Sequence, residues 1–309
     1  MSGNDTMIVV IGSINMDLVL RVPRMPLPGE TLTGGAFRTI PGGKGANQAV
    51  ACARMSGKVS AGGKQVAMVG CVGDDEFGAT LRAALVADGI IDSHISTMPG
   101  VASGIASILV DDNGQNSIVL AGGANDLLSP AHIDAARELI EQADIVVLQL
   151  EVPMATVVHA IKLARSLGKT VVLNPAPAAS VPAEALALVD YLIPNEIEAA
   201  MLTGNTVDSS DAKALAAALQ AQGSDNVIIT LGSKGVHAAL YGGNFDFPAQ
   251  VVQAVDTTAA GDTFIGGFVA GLASGLDEAE AIAQGQRAAA WSVTKPGAQT
   301  SIPHLHELF

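Results

Sequence analysis

Residues 255–267 read Val-Asp-Thr-Thr-Ala-Ala-Gly-Asp-Thr-Phe-Ile-Gly-Gly, with small residues around Asp262 and an Ala/Gly-rich helical pattern directly after it. The first N–H groups of a helix have no partner inside it, and the helix dipole adds partial positive charge there. Small side chains at Ala259, Ala260 and Gly261 leave those groups open to an approaching phosphate. Asp262 stands at the same place, able to accept the proton of a hydroxyl attacking that phosphate. It could equally cap or start the helix, the commonest use of an aspartate at such a position.

Three other stretches carry groups of this kind. Asn15 and Asp17 alternate with apolar neighbours after the first apolar run. On an extended segment both point to one face, and the C-terminal end of a first strand is where open α/β sheets hold ligands. Surface turn residues are the alternative. Pro41-Gly42-Gly43-Lys44-Gly45-Ala46-Asn47-Gln48-Ala49 is a glycine-rich turn feeding an apolar helix; its glycines allow close backbone approach, and Asn47 can donate and accept. It is neither a P-loop, since Lys44 is followed by Gly45, nor a GxGxxG fingerprint. A plain helix-starting loop also fits. Leu231-Gly232-Ser233-Lys234-Gly235 is a tight turn that suits a nucleotide phosphate or a simple hairpin.

These groups need a framework. The run 7–11 is continuously apolar, as a buried parallel strand would be. Residues 18–39 break into short β-like pieces among prolines and glycines, and 103–120 is β-like around an Asp-Asp-Asn-Gly turn at 111–114. Together they predict a small second sheet. A strand is expected at 66–72 and a helix to residue 88, opened by the acidic run Asp74-Asp75-Glu76, which suits the helix dipole. Residues 55–65 read as a polar surface loop. Helices are expected at 131–142, 154–167, 211–222, 261–275 and 277–293. Strands are expected at 144–150, 170–173, 191–193 and 226–230. The alternation predicts a mostly parallel central sheet with helices on both faces, an α/β fold.

The bulk properties bound the function. A chain of 309 residues, 49% hydrophobic and 15% charged, buries a sizeable core. A net charge of −14 argues against nucleic acid and anionic membranes as partners. It leaves room for an anionic small substrate, because a local nest of N–H groups can overrule the global field. Cys52 and Cys71 form neither a disulfide framework nor a zinc motif and fit a reducing cytosol. The apolar run at 7–11 is too short to span a bilayer, and a cytoplasmic location is expected.

In combination the motifs say more. Gly12-Ser13-Ile14-Asn15-Met16-Asp17, Gly42-Gly43-Lys44-Gly45-Ala46-Asn47, Asn195-Glu196-Ile197-Glu198, Thr230-Leu231-Gly232-Ser233-Lys234-Gly235 and 256–267 stand in one order and spacing. In that arrangement the chain resembles the ribokinase-like (PfkB) carbohydrate kinases from about residue 7 to 303. The resemblance implies a single catalytic domain over 1–309 with a β lid formed by about 18–39 and 103–120. It implies ATP and Mg²⁺ as cofactors, K⁺ as a monovalent activator, and a homodimer joined lid to lid. Asn-x-Asp with the Gly-Gly-Lys-Gly-Ala-Asn loop points within the family to D-ribose, phosphorylated at its 5-hydroxyl. Deoxyribose, another sugar or a nucleoside is the alternative.

Residue by residue, the resemblance implies that Asn15, Asp17, Gly42, Gly43, Lys44, Asn47 and Glu151 hold the sugar. Asp262 matches the catalytic base, and the N–H groups of Ala259, Ala260, Gly261 and Asp262 the anion hole. Asn195 and Glu198 match the segment that organises Mg²⁺, water and the ATP phosphates. Thr230, Gly232, Ser233 and Gly235 match the ATP loop, with Gly261 beside it, and Gln286 a position beside the adenine. Asp256, Thr258, Ser292, Lys295, Gly297 and Ser301 match the monovalent-cation loops, where Lys295 can offer only its backbone oxygen. The stretch 55–65 is longer than the usual family link. A silent nucleotide or sugar sensor and a nicotinamide-dependent oxidoreductase are the rival classes; intact anion-hole positions speak against the first and the missing GxGxxG against the second.

Overall fold

β1 (Met7–Ile11) is apolar and buried at every position, as a central strand covered on both faces must be. Successive side chains of a strand point to opposite faces, so Ile8 and Val10 join one core layer while Met7, Val9 and Ile11 join the other. The computed structural model describes residues 6–57, 65–205 and 211–309.

After β1 come β2 (Asn15–Arg21), β3 (Phe37–Gly42), α1 (Lys44–Met55), β4 (Gln65–Gly73), α2 (Glu76–Ala87), β5 (Ile91–Met98), β6 (Gly104–Val110) and β7 (Asn116–Ala121). The next stretch holds α3 (Pro130–Ala135), α4 (Arg137–Gln142), β8 (Ile145–Leu148), α5 (Met154–Ser166), β9 (Thr170–Leu173), α6 (Ala183–Leu186) and β10 (Tyr191–Leu192). The last holds α7 (Glu196–Thr203), α8 (Ala212–Gln220), β11 (Asn226–Thr230), β12 (Val236–Leu240), β13 (Gly243–Phe247), α9 (Ala260–Ala273) and α10 (Glu278–Ser292).

Nine strands form one sheet in the order β13-β12-β11-β10-β9-β8-β1-β4-β5. Pairing is parallel from β5 to β11 and antiparallel at β12 and β13. One layer of core packs α1, α2, α9 and α10 on this sheet, through Val50, Leu81, Phe268 and Ile282 among others. The opposite layer packs α3 to α8, through Ile133, Ile140, Ile161, Leu186, Ala199 and Leu215. The mostly parallel α/β class is therefore observed. A separate four-stranded sheet, β3-β2-β6-β7, carries the remaining strands. In it β2 runs antiparallel to β3 and parallel to β6, with Asn15 opposite both Gly42 and Gly104.

Several details differ from expectation. Asn15 and Asp17 do not end the first strand: β1 stops at Ile11, and the two residues open β2 of the small sheet. The stretch expected as one helix at 131–142 divides at Ala136, which has φ −90° and ψ 8°. No strand is expected from the sequence at β5, β12 or β13: β5 mixes polar and apolar residues without a clean period, and β12 and β13 are only five residues each. Of the long loop at 55–65, residues 58–64 lie outside the described set. The acidic helix start is structural as read: Asp75 caps α2, accepting from Gly78 N–H at 2.8 Å.

Candidate active site

α9 starts at Ala260, and Ala259 before it sits in the left-handed region at φ 58°. A non-glycine residue there carries strain of roughly 1–3 kcal/mol. The turn is held by Thr263, whose N–H and hydroxyl both donate to Ala259 O at 2.8 Å. Ala260 N–H donates back to Thr257 O at 3.2 Å, whereas no backbone carbonyl among the described residues accepts from Ala259, Gly261 or Asp262 N–H. The cradle expected from four amides thus presents three, because the tight turn before the helix consumes one. Those three meet the positive end of the α9 dipole.

Asp262 does not cap its helix. Its side chain crosses to α1, where Oδ2 accepts from Asn47 Nδ2 at 3.1 Å and Oδ1 from Gln48 Nε2 at 2.9 Å. Burial to 7% exposure pushes its pKa up; Lys44 and the two amides oppose that, and Glu151 adds to it, leaving the carboxyl above its ordinary value.

Around it stands a second group of carboxylates. Asp17 is raised to about 7 by burial and then by Glu151 and Asp262. Gly42 lies against Asp17 so closely that a methyl group would overlap the carboxylate. Gly43, at φ 89°, lies between β3 and α1 and packs against the backbone of Ile14 and Asn15. Glu151 Oε2 accepts from Ser13 Oγ at 2.6 Å and from Lys44 N–H at 3.1 Å, tying the first loop to the glycine turn. Asn125 fixes Asn15: Asn125 Oδ1 accepts from Ile14 N–H at 2.9 Å, so its Nδ2 faces Ile14 O at 3.1 Å and Asn15 Oδ1 at 2.7 Å. Asn15 therefore turns its own amide donors elsewhere. A cavity of about 400 Å³ opens beside these groups, lined by Asn15, Leu120, Asn125, Asp126 and Glu151 among others.

A polar cleft of about 200 Å³ lies next to it, between Lys44, Asn174, Asn195, Glu198, Thr230 and the start of α9 with Asp262. Asn195 and Glu198 make a capping box at α7: Glu198 N–H donates to Asn195 Oδ1 at 2.8 Å and Asn195 N–H to Glu198 Oε2 at 2.9 Å. Burial raises the Glu198 pKa against the pull of Asn195 N–H and Lys44. Burial works against the Lys44 charge, but Asp262, Glu151 and Glu198 outweigh it and hold the ammonium above its ordinary value.

The cleft continues, sharing Thr230, Thr257, Ala260 and Gly261, into a cavity of about 390 Å³ lined by Gly232, Ser233, Val252, Phe264, Gln286 and Val293. Its walls are mostly apolar, as a flat aromatic base requires. Leu231 N–H bonds Gly235 O at 2.8 Å, so the 231–235 turn is the hairpin between β11 and β12 and also a wall of this cavity. Gln286 Nε2 is committed to Phe247 O at 3.1 Å and Pro248 O at 3.3 Å, so it shapes the wall and has fewer donors to spare.

Of the residues expected in the cation loops, Asp256 joins Thr258 to Gly297. Its Oδ1 accepts from Thr258 N–H at 2.9 Å and Thr258 Oγ1 at 2.6 Å, and its Oδ2 from Gly297 N–H at 2.9 Å. Burial opposes ionisation, but these bonds outweigh it and lower the Asp256 pKa. Ser292 and Ser301 turn their hydroxyls to Ala289 O and Ala298 O. The Lys295 ammonium lies over the Trp291 ring and 3.6 Å from Glu307.

Residues overlooked in the sequence complete the arrangement: Ser13, Gln48, Asn125, Gln149 and Asn174, all buried. Gln149 and Asn174 follow β8 and β9 directly, and the tendency of ligand groups to gather at C-terminal strand ends was the signal available for them.

A family model described as pfkB family carbohydrate kinase matches residues 5–305. Haemophilus influenzae ribokinase is 46% identical over 301 residues, covering 97% of this chain and 96% of its own. Salmonella typhi deoxyribokinase is 40% identical over 302 residues, covering 97% and 96%. The solved structure of Arabidopsis thaliana ribokinase, complexed with ribose and ATP, superposes with a TM-score of 0.88 at 30% identity, covering 98% of this chain and 97% of that one.

Proposed function

This chain belongs to the pfkB family of carbohydrate kinases, and from that premise we propose that it transfers the terminal phosphoryl group of ATP to the 5-hydroxyl of D-ribose, giving ribose 5-phosphate and ADP. One observation carries the reading: the Asp262 carboxylate and the unpartnered amides of α9 stand between a polar cavity and an apolar one. A polyol needs many paired donors and acceptors before its desolvation is offset, and Asn15, Asp17, Asn47 and Glu151 supply them.

In the proposed reaction Asp262 accepts the proton of the sugar hydroxyl as the oxygen bonds to the terminal phosphorus. The bond from that phosphorus to the bridging oxygen breaks, and ADP leaves. Ala259, Gly261 and Asp262 N–H groups meet the charge on the transferring group, with Lys44 lining the same cleft. The adenine lies in the apolar cavity beside Gln286, and the 231–235 turn borders the phosphates.

The donors also suit a hard divalent ion. Capping uses only Oε2 of Glu198, and one free carboxylate oxygen beside ATP phosphates is the usual provision for Mg²⁺. Glu198 and Asn195 would hold it through water, and it would neutralise charge on the phosphates. The 256–258 and 292–301 loops, bridged by Asp256 and Gly297, suit K⁺ held mainly by carbonyls. The small sheet acts as a lid over the sugar, since Leu120 of β7 lines its cavity. Phe37, Ile118 and Val119 are exposed on that sheet, which supports a homodimer joined there. Two buried free thiols, Cys52 and Cys71, support a cytosolic location. Among the described residues no helix is long and apolar enough to cross a membrane.

A second reading, 2-deoxyribose as the preferred sugar, is favoured by the likeness to a deoxyribokinase. ATP consumption with each sugar, in K⁺ and in Na⁺, separates the two. The primary reading expects the larger kcat/KM with ribose and a lower rate in Na⁺. A larger kcat/KM with 2-deoxyribose transfers the assignment, and no turnover with either sugar removes it.

A further inference from the structure

Behind Asp262 lies a chain of buried amides that, except at its Asn174 end, lines none of the three cavities described above. Its direction is set by the backbone. Ile193 O, just past β10, accepts from Asn174 Nδ2 at 2.8 Å, so Asn174 must turn its Oδ1 to Gln48. Gln48 Nε2 donates to that oxygen at 3.2 Å and, with its other hydrogen, to Asp262 Oδ1 at 2.9 Å. Gln48 Oε1 then faces away and accepts from Gln149 Nε2 at 2.6 Å. Gln149 Oε1, at the far end, has no hydrogen-bond partner among the described residues and lies against the bare backbone of Gly12.

A carbonyl of the main chain cannot reverse its polarity, so each amide in turn is fixed, and the carboxylate always meets a donor. An apolar side chain at 149 would avoid a stranded acceptor. What the glutamine adds is a donor that pins Gln48 from behind. We propose that Asn174, Gln48 and Gln149 form a positioning device that sets the rotation of the Asp262 carboxylate. This rests on Asp262 serving as the base. With Oδ1 held by Gln48 and Oδ2 by Asn47, the carboxylate plane cannot turn as substrate enters, and its remaining lone pairs stay aimed at the cleft.

The test replaces Gln48→Met and, separately, Gln149→Leu, each alone and combined with Asp262→Asn, under saturating MgATP and sugar. Neither glutamine lines any of the three cavities described above. Loss of orientation at a reacting group costs up to about 100-fold, so Gln48→Met should lower kcat about 10- to 100-fold and Gln149→Leu by less. Both KM values should stay within about threefold, the split expected when only transition-state alignment is lost. Added to Asp262→Asn, either change should cost less than about twofold, because the group it acts through is gone. Wild-type turnover in both single variants overturns the proposal, as does an undiminished loss in the Asp262→Asn background. Should Gln48→Met fail to fold, Gln149→Leu decides by the same two measurements. If Asp262→Asn itself keeps normal turnover, the assignment of the base falls and the positioning role with it. If Asp262→Asn is crippled while both glutamine variants are normal, the positioning role falls alone.

Discussion

A carboxylate serves as a base toward a hydroxyl when it is desolvated enough to want a proton and still ionised enough to take one. At Asp262 burial raises the pKa, while Lys44, Gln48 and Asn47 favour the ionised form. Asp262→Asn should lower turnover by roughly 10²–10⁴-fold with sugar binding largely kept, and near-normal rates in stopped-time assays would remove its role. Asp17 offers a separate measurement. It loses its proton near 3.8 when unfolded but only near 7 when folded, so the folded state binds the extra proton between those values. Its contribution to stability is complete below about 3.8 and lost as pH rises through about 7. The melting temperature of the ligand-free protein should fall across that window, and Asp17→Asn should remove part of the slope. An unchanged slope in the variant would place the titration elsewhere. The acidic types at 17 and 262 were legible in the sequence; their proximity was implied only by the family resemblance, since they lie 245 positions apart.

At the scale of elements the site depends on how closely α1 and α9 cross. Gly266 lies on the α1 backbone at Ala51 and Cys52, and Gly267 meets Gly285 of α10, so no side chain separates the helices. That contact brings the start of α9 to Asn47 and Gln48 on α1. Gly266→Ala should cost about 1–3 kcal/mol of stability by overpacking and should also lower kcat, because the helices must part at the point that sets the base. Calorimetry with a matched activity assay checks both, and a destabilised variant with full kcat would uncouple the crossing from the chemistry. The sequence shows both helices through their apolar runs. It does not show that glycines at 266 and 267 are packing devices, because a glycine in a helix is equally a weak point until its neighbour is known.

For the whole molecule, the exposed apolar side chains of β7 at Ile118 and Val119 stand out. β7 is exposed along its length, forms an edge of the small sheet, and shows Ile118 at 52% and Val119 at 67%. An apolar edge of this kind invites association. Sedimentation should give a dimer for the wild type and a monomer for Val119→Asp, and a monomeric wild type at micromolar concentration would end the lid-to-lid proposal. By itself the sequence determined the α/β class, the small second sheet and the order of the motifs, because hydrophobic period and turn chemistry are local properties of the chain. The tertiary structure alone decided that Asn15 and Asp17 belong to the small sheet, that Ala260 N–H is spent on a turn, and that Gln48, Gln149 and Asn174 stand behind the base. Those outcomes depend on which strand ends lie side by side and which buried amide meets which backbone carbonyl. Such pairings arise only when segments far apart in the chain share one core.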